Sequence, residues 1–411
     1  MTTTEEHPTY TPTRTTSSDV SAGHEALIER ARSLVPLLAE HADATEKARR
    51  LVPEVEQALR DAGMFKLTVP RRFGGHQADM RTYIAVTSEL ARGCSSAAWV
   101  TMILGGGAFS TSLFSDRAQM DVWGEAPDAA VAGVLTPSAT SRKVEGGHVV
   151  SGRWMWNSGC YNAQWTVLAA PINDENGQMV DLGLLLVPYS DLTIEDTWYV
   201  AGMQGTGSNT AVGDEIFVPD HRIISMLGLS VGQHASEHPE EVEYQAPPVT
   251  ALTLAILGPQ LGIAQAALER TRETLAKGKP IAYSTYQRSI DAPSYQLNFA
   301  DATSLIDTAK LHAFRAADDI DAWGRAGEFP ADLGRARVRM DIAVAATRLR
   351  EAVDLLLNIG GAGSFAQANP INRIWRDLET ASRHGYINSD LSREIYARAL
   401  LGIEPQVSQA F

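Results

Sequence analysis

What most limits the fold of this 411-residue chain is that its hydrophobic period changes twice. From about Ala22 to Gly63, "ALIERARSLVPLLAEHADATEKARRLVPEVEQALRDAG" repeats apolar residues every three or four positions with charges between them, which predicts helices. Pro36 and Pro53 are expected at helix starts or kinks. A short apolar element closed by Gly-Gly, "MFKLTVPRRFGG", leads into the small-residue helical stretch "MRTYIAVTSELARGCSSAAWVTMILGGGAF". Between about Ala129 and Arg222 the pattern becomes short β-rich runs, "AAVAGVL", "HVVSGRWMW", "WTVLAAPI", "VDLGLLLVPY" and "DEIFVPDH", parted by Gly, Asn, Asp and Pro. That spacing predicts a small antiparallel β-domain. From about Val249 to Ile403 the helical period returns in long segments, four or so, which predict a bundle. The expected division is a disordered tail over 1–22, a helical domain over 23–128, a β-domain over 129–222, a linker over 223–248 and a helical bundle over 249–411.

Composition removes several classes of function. A net charge of −14 argues against a nucleic-acid partner, which needs a basic patch. No apolar run approaches the roughly 18 residues of a membrane helix, so no membrane partner is expected. The Thr-, Ser- and Pro-rich N-terminus lacks the apolar core of a secretory signal. Cys94 and Cys160 are too few for a disulfide framework or metal cluster, which fits a cytoplasmic location and no metal site. There is no Gly-x-Gly-x-x-Gly after a strand and no P-loop.

The most informative single strand is "EGGHVVSGRWMWNSGC", residues 145–160. It carries Trp154 and Trp156, then ends on Asn157, Ser158 and Gly159. One tryptophan is expected in the core. Trp156, which shares a face with Ser158, is the better candidate to meet a flat ligand. Asn-Ser-Gly is also an ordinary turn sequence. A second loop, "QGTGSNTAV" at 204–212, offers Thr206, Gly207 and Ser208, whose amides and hydroxyls suit a phosphate or a ring edge.

The order of "FGG" at 73–75, "VSGRWMWNSG" at 150–159, "GTGSN" at 205–209 and "RIWRDLETASRH" at 373–384 resembles the acyl-CoA dehydrogenase fold superfamily. "GIAQAALERTRE" at 262–273 and "GGAGSFAQANPINRIWRD" at 360–377 resemble its C-terminal bundle, so the likeness spans nearly the whole chain after the tail. The resemblance implies a mainly α chain: an N-terminal helical domain, a small antiparallel β-barrel or sandwich, and a C-terminal four-helix bundle. It also implies a flavin between β-domain and bundle, and a homotetramer.

Acyl-CoA dehydrogenases commonly carry a Glu base in a Tyr-Glu-Gly stretch soon after an Arg-Asp pair. Here Arg376-Asp377 is followed by "LETASRHGYINSD", where Glu379 comes too early and His384 stands near that place. This resembles the oxygenase components of two-component flavin monooxygenases. The resemblance implies reduced FMN or FAD supplied by a separate NAD(P)H-flavin reductase, and O2 activated as a C4a-hydroperoxyflavin. A protected peroxide needs a water-poor pocket. In that setting Asn157 and Ser158 would hold the flavin N5 region, with Trp156 beside it, and Thr206, Gly207 and Ser208 would bind the flavin phosphate or ring edge. His384 would donate to the peroxide or shuttle its proton, supported by Ser382 and Asn388. Gly360 and Gly361 either cap a helix or approach a flavin across a subunit interface, and Arg376 and Asp377 read as a structural or helix-dipole pair, with contact to the cofactor as the alternative.

Trp99, Gly107 and Phe109 are the expected substrate pocket. Phenol-hydroxylating relatives tend to carry a His after the Trp of a "SAAWV"-like helix, where this chain has Gly107. The run Gly105–Gly107 either makes room for a bulky substrate or marks close helix packing. The implied activity is oxygenation of an aromatic or polycyclic small molecule. The alternatives are N-oxygenation of an amine, as in amino-sugar nitrososynthases, an acyl-CoA dehydrogenase-type flavoenzyme holding oxidised FAD, or a non-catalytic protein that has kept the fold.

Overall fold

The computed structural model describes residues 22–404 and 407–408; the expected tail lies outside them except for residue 22, which already begins a helix. The first third is helical: α1 (Ala22–Glu40), α2 (Ala42–Ala48), α3 (Pro53–Asp61), α4 (Met80–Gly93), α5 (Ser95–Thr111) and α6 (Asp116–Trp123). Pro53 takes the first turn of α3, where its missing N–H costs nothing. Pro36 instead lies inside α1. Asp79 caps α4 by accepting from the Thr82 amide at 2.8 Å. Helix α5 is buried nearly all round, as its unbroken run of small and apolar residues requires.

Eight strands follow: β1 (Val131–Val134), β2 (Ala139–Val144), β3 (Gly147–Asn157), β4 (Trp165–Asn173), β5 (Met179–Pro188), β6 (Thr193–Glu195), β7 (Asn209–Pro219) and β8 (Ile223–Ser225). They form two four-stranded sheets, β1-β4-β5-β8 and β2-β3-β7-β6. Val150, Trp154, Leu168, Ala170, Leu185 and Val187 fill the space between them. Two expectations need correction. The pairing is not wholly antiparallel, because β1 runs parallel to β4 from Val131↔Trp165 to Val134↔Leu168. A parallel partner needs a crossover, and the β2–β3 hairpin and its exit loop supply it. Nor is 223–248 a featureless linker, since β8 pairs with β5 and is followed by α7 (Met226–Ser230).

The bundle consists of α8 (Pro248–Ala255), α9 (Leu257–Ala276), α10 (Pro293–Ala326), α11 (Asp332–Gly360), α12 (Pro370–Ala381) and α13 (Ser389–Leu401). The continuous segment Pro248–Ala276 corrects a further expectation: it is long and apolar enough to cross a membrane by length and composition. It is nevertheless mostly buried against protein, as the central helix of a bundle is.

The glycine run on α5 resolves mainly as packing. A Cβ at Gly105 would sit 2.5 Å from the Tyr83 hydroxyl, and one at Gly107 would sit 2.0 Å from the Val131 carbonyl oxygen. Backbone cannot yield as a side-chain tip can. Gly107→Ala is therefore expected to lower folding stability by about 2 kcal/mol or more, because overpacking forces α5 off β1. A melting temperature within a degree of the parent would contradict this.

Candidate functional site

Helix α5 places Trp99, Met102, Ile103, Gly106, Gly107 and Ser110 on one stripe, and that stripe forms one wall of a cavity of about 560 Å³. The end of β1 and the residues after it, the end of β3, the loop 198–208, α8, α11, and the end of α12 with the turn after it form most of the rest. This volume is that of a small-molecule site. Among the described residues no Asp or Glu lines it, and the titratable side chains on its wall are Arg339, Arg383, His384 and Tyr386. Among the described residues no group of His, Cys, Asp and Glu is arranged to hold a metal.

The β-domain side of the cavity is a chain of hydroxyls. Trp99 Nε1–H donates to Ser158 Oγ at 3.2 Å, Ser158 and Ser208 hydroxyls lie 2.6 Å apart, and Ser208 and Thr206 hydroxyls also 2.6 Å. Thr206 Oγ1 donates to the Met203 carbonyl at 2.8 Å. A hydroxyl has one proton. With Thr206 committed to Met203, Ser208 donates to Thr206 and Ser158 to Ser208. Every proton in the chain then points along the wall, and the hydroxyl oxygens offer the cavity lone pairs only. So oriented, these three hydroxyls can accept from an N–H of a ligand and have no proton left to donate to it.

The opposite side carries His384. It is not on a helix: it follows α12 and caps the turn Gly385–Ile387, its Nδ1 accepting from the Tyr386 amide at 3.3 Å. Burial pushes its pKa down to about 4. The neutral ring, with Nδ1 used as acceptor, carries its proton on Nε2. Its ring lies 5.9 Å from Trp99 and stacks on Tyr386 at 5.8 Å, so Trp99 touches both walls. Arg339, also buried, adds a guanidinium whose pKa desolvation lowers.

The strand end divides its residues sharply. A bulge between Trp154 and Asn157 puts Trp156 at φ +62°. Trp154 is buried in the sandwich and donates from Nε1 to the Ala169 carbonyl at 2.9 Å, whereas Trp156 is 66% exposed on the cavity wall. Asn157 does not reach the cavity. It is fully buried behind the wall, where Oδ1 accepts from the Tyr189 hydroxyl at 2.9 Å. Gly207 likewise turns away; its carbonyl accepts from Cys160 Sγ at 3.2 Å, while Thr206 and Ser208 on either side line the cavity.

Phe109 lies off the α5 stripe and packs on Tyr244 at 5.7 Å. Gly360 and Gly361 close α11 at an exposed position away from the cavity of this chain. Ser382 and Asn388 are turn and cap residues, Asn388 accepting from the Leu391 amide at 3.0 Å. Arg376 and Asp377 do not pair with each other: Arg376 holds Glu46 at 2.6 Å and Asp377 accepts from the Met203 amide at 2.6 Å. Trp198, Met203, Arg339 and Tyr386 line the cavity without having been singled out from the sequence. Only the Trp-Tyr pair at 198–199 and the position of Tyr386 beside His384 carried a usable signal.

A flavin ring fits these residues: the acceptor-only hydroxyl wall matches ring N–H groups, and Trp156 offers an uncovered aromatic face beside it.

Comparison with known proteins decides the family. Residues 21–123 match the acyl-CoA dehydrogenase N-terminal domain and residues 254–389 its C-terminal domain. The chain is 34% identical over 377 residues to the flavin-dependent monooxygenase oxygenase subunit HsaA of Mycobacterium tuberculosis, covering 91% of this chain and 94% of that one. It belongs to the acyl-CoA dehydrogenase family, among its flavin-dependent monooxygenase oxygenase subunits. The FADH(2)-dependent resorcinol hydroxylase oxygenase component of a Rhizobium strain is 31% identical to this oxygenase subunit over 399 residues, 93% of this chain and 96% of that one. Among solved structures, the 3-HSA hydroxylase of Rhodococcus sp. RHA1 superposes with a TM-score of 0.89 at 32% identity, over 94% of this chain and all of that one. XiaF from a Streptomyces, solved with FADH2 and glycerol, gives 0.88 at 31% identity, over 94% and 97%.

Proposed function

We propose that this oxygenase component takes reduced FMN or FAD from a separate NAD(P)H-flavin reductase and transfers one atom of O2 to an aromatic or polycyclic small molecule, in the cytoplasm and as a homotetramer. The observation that carries the choice of chemistry is that, among the described residues, no Asp or Glu lines the cavity. Removing a proton beside a thioester carbonyl needs a carboxylate base there, and the wall offers a neutral imidazole instead. The relatives' names, an HsaA oxygenase subunit and a resorcinol hydroxylase among them, support oxygenation of ring compounds.

Reduced flavin, when bound, supplies the electrons that activate O2. The chain's own residues then have distinct tasks. Ser158, Ser208 and Thr206 would accept from ring N–H groups, and Trp156 would offer its face to the ring. The apolar stripe of α5 with Leu252, Ala255 and Ile256 of α8 excludes water and seats the substrate. His384 presents a proton at Nε2 to the oxygen being transferred or released. A side chain at 107 is barred by Val131, so the position where phenol-hydroxylating relatives tend to carry a His offers no base to a substrate hydroxyl.

Rapid mixing of the colourless protein and reduced FMN or FAD with oxygenated buffer tests this. The expected result is a near-ultraviolet-absorbing species, between reduced and oxidised flavin, that outlives the same species in free solution. Reoxidation as fast as without protein would overturn the proposal. A yellow protein bleached by acyl thioesters would restore the dehydrogenase reading.

A further inference from the structure

The Arg376-Asp377 pair has no part in the activity as so far described, yet it is tied to the cavity through one peptide unit. Met203 adopts a left-handed conformation, φ +58°, which is unfavourable for a residue with a side chain. Its amide donates to Asp377 Oδ1 at 2.6 Å inside the protein, where Asp377 is 3% exposed. One residue earlier, a Cβ on Gly202 would meet the Arg376 carbonyl oxygen at 2.1 Å, and Arg376 Nη1 donates to the Ala201 carbonyl. The middle of α12 thus grips 201–203 by an amide, a carbonyl and a close backbone approach.

What is gripped matters because the Met203 carbonyl is a shared acceptor. It takes Trp198 Nε1–H at 3.0 Å, the Thr206 amide at 3.2 Å and Thr206 Oγ1–H at 2.8 Å. Trp198 and Thr206 both line the cavity, as does Met203 itself. The Thr206 proton is the last in the hydroxyl chain, so its direction sets those of Ser208 and Ser158. Were the Met203 carbonyl to turn away, Thr206 could donate into the cavity or back to Ser208, and the wall would no longer be acceptor-only.

We propose that Asp377 is a positioning residue that, by holding the Met203 amide, keeps the Met203 carbonyl at the end of the hydroxyl chain and so makes the wall selective for a ring that donates over one that accepts. The inference rests on the reading that a flavin binds in this cavity. Reduced flavin carries an N–H at N5, where oxidised flavin has only a lone pair. An acceptor-only wall therefore favours the reduced form, and Asp377 acts on that preference through Met203, Thr206, Ser208 and Ser158 without touching the ligand.

The test is the ratio of dissociation constants for oxidised and reduced flavin, the reduced titration done anaerobically, in the full-length protein. A loss of folded protein lowers binding capacity for both forms and leaves their ratio alone. Asp377→Ala is expected to reduce the ratio about tenfold, the worth of one hydrogen bond to a charged or well-placed partner. Asp377→Asn, which keeps an acceptor for the Met203 amide, is expected to hold it within about threefold. Should Asp377→Ala fail to fold, Gly202→Ala displaces the same loop from the Arg376 side and is expected to lower the ratio likewise. Unchanged ratios in the folded variants would overturn the role of Asp377 while leaving flavin binding intact. A parent protein that binds no reduced flavin would instead remove the reading beneath it.

Discussion

His384→Ala is expected to bind reduced flavin within about threefold of the parent while the yield of oxygenated product per O2 consumed falls on the order of a hundredfold, the typical worth of a positioned proton donor. The argument is geometric first. His384 Nδ1 is occupied by the Tyr386 amide, so Nε2–H is the proton the ring can present, and no other imidazole among the described residues lines the cavity. Oxygen consumption measured beside product and hydrogen peroxide separates lost coupling from lost binding. Equal coupling in the variant would take His384 out of the reaction.

The same ring has a signature in stability. Unfolded, it takes a proton near pH 6.5; folded, burial delays this to about 4. Between those values the unfolded chain binds more protons, so this residue lowers stability as pH falls from 6.5 towards 4 and contributes nothing above 6.5. Asp377 acts with opposite sign. Burial raises its pKa to about 6 from 3.8, so its contribution grows as pH falls through 6. His384→Gln should accordingly show a shallower loss of stability on the acid side than the parent in urea titrations at pH 4.5 and 7. Parallel losses would show that the ring is hydrated when folded.

Trp156→Gly is expected to stabilise the fold by up to about 1 kcal/mol, by relieving a left-handed backbone that a side chain disfavours. Its side chain is 66% exposed, so little buried area is lost in exchange. Reduced-flavin affinity should fall by about tenfold or more, because a large aromatic anchor leaves the wall. Stability from urea unfolding and affinity from anaerobic titration are read on one preparation. A variant that is less stable and binds as before would place Trp156 outside the site.

The contrast of Trp154 and Trp156 shows where sequence reasoning works and where it stops. The strand, its end and the hydroxyl loop at 204–208 are local patterns, and composition with period suffices to find them. Strict alternation, however, would put both tryptophans on one face, and only the bulge separates them. The same bulge turns Asn157 into the interior, which no count of residues along a strand could anticipate. Phe109 failed for a related reason: a helix turns about 100° per residue, so it leaves the stripe that Gly106, Gly107 and Ser110 share. Arg339 comes to the cavity from α11, far along the chain from β3 and the 198–208 loop, by contacts that local pattern does not encode.

The apolar segment Pro248–Ala276 has a consequence for how the protein is made. It packs against α4, α10 and α11, two of which are synthesised after it. Until about 80 further residues have left the ribosome and α11 has closed over it, the face of this stretch turned away from α4 lies open to any other apolar surface. Yield of active enzyme should therefore depend on chaperone supply and growth temperature more than on the stability of the finished fold. Refolding from urea should lose efficiency as protein concentration rises, with aggregation seeded at this helix.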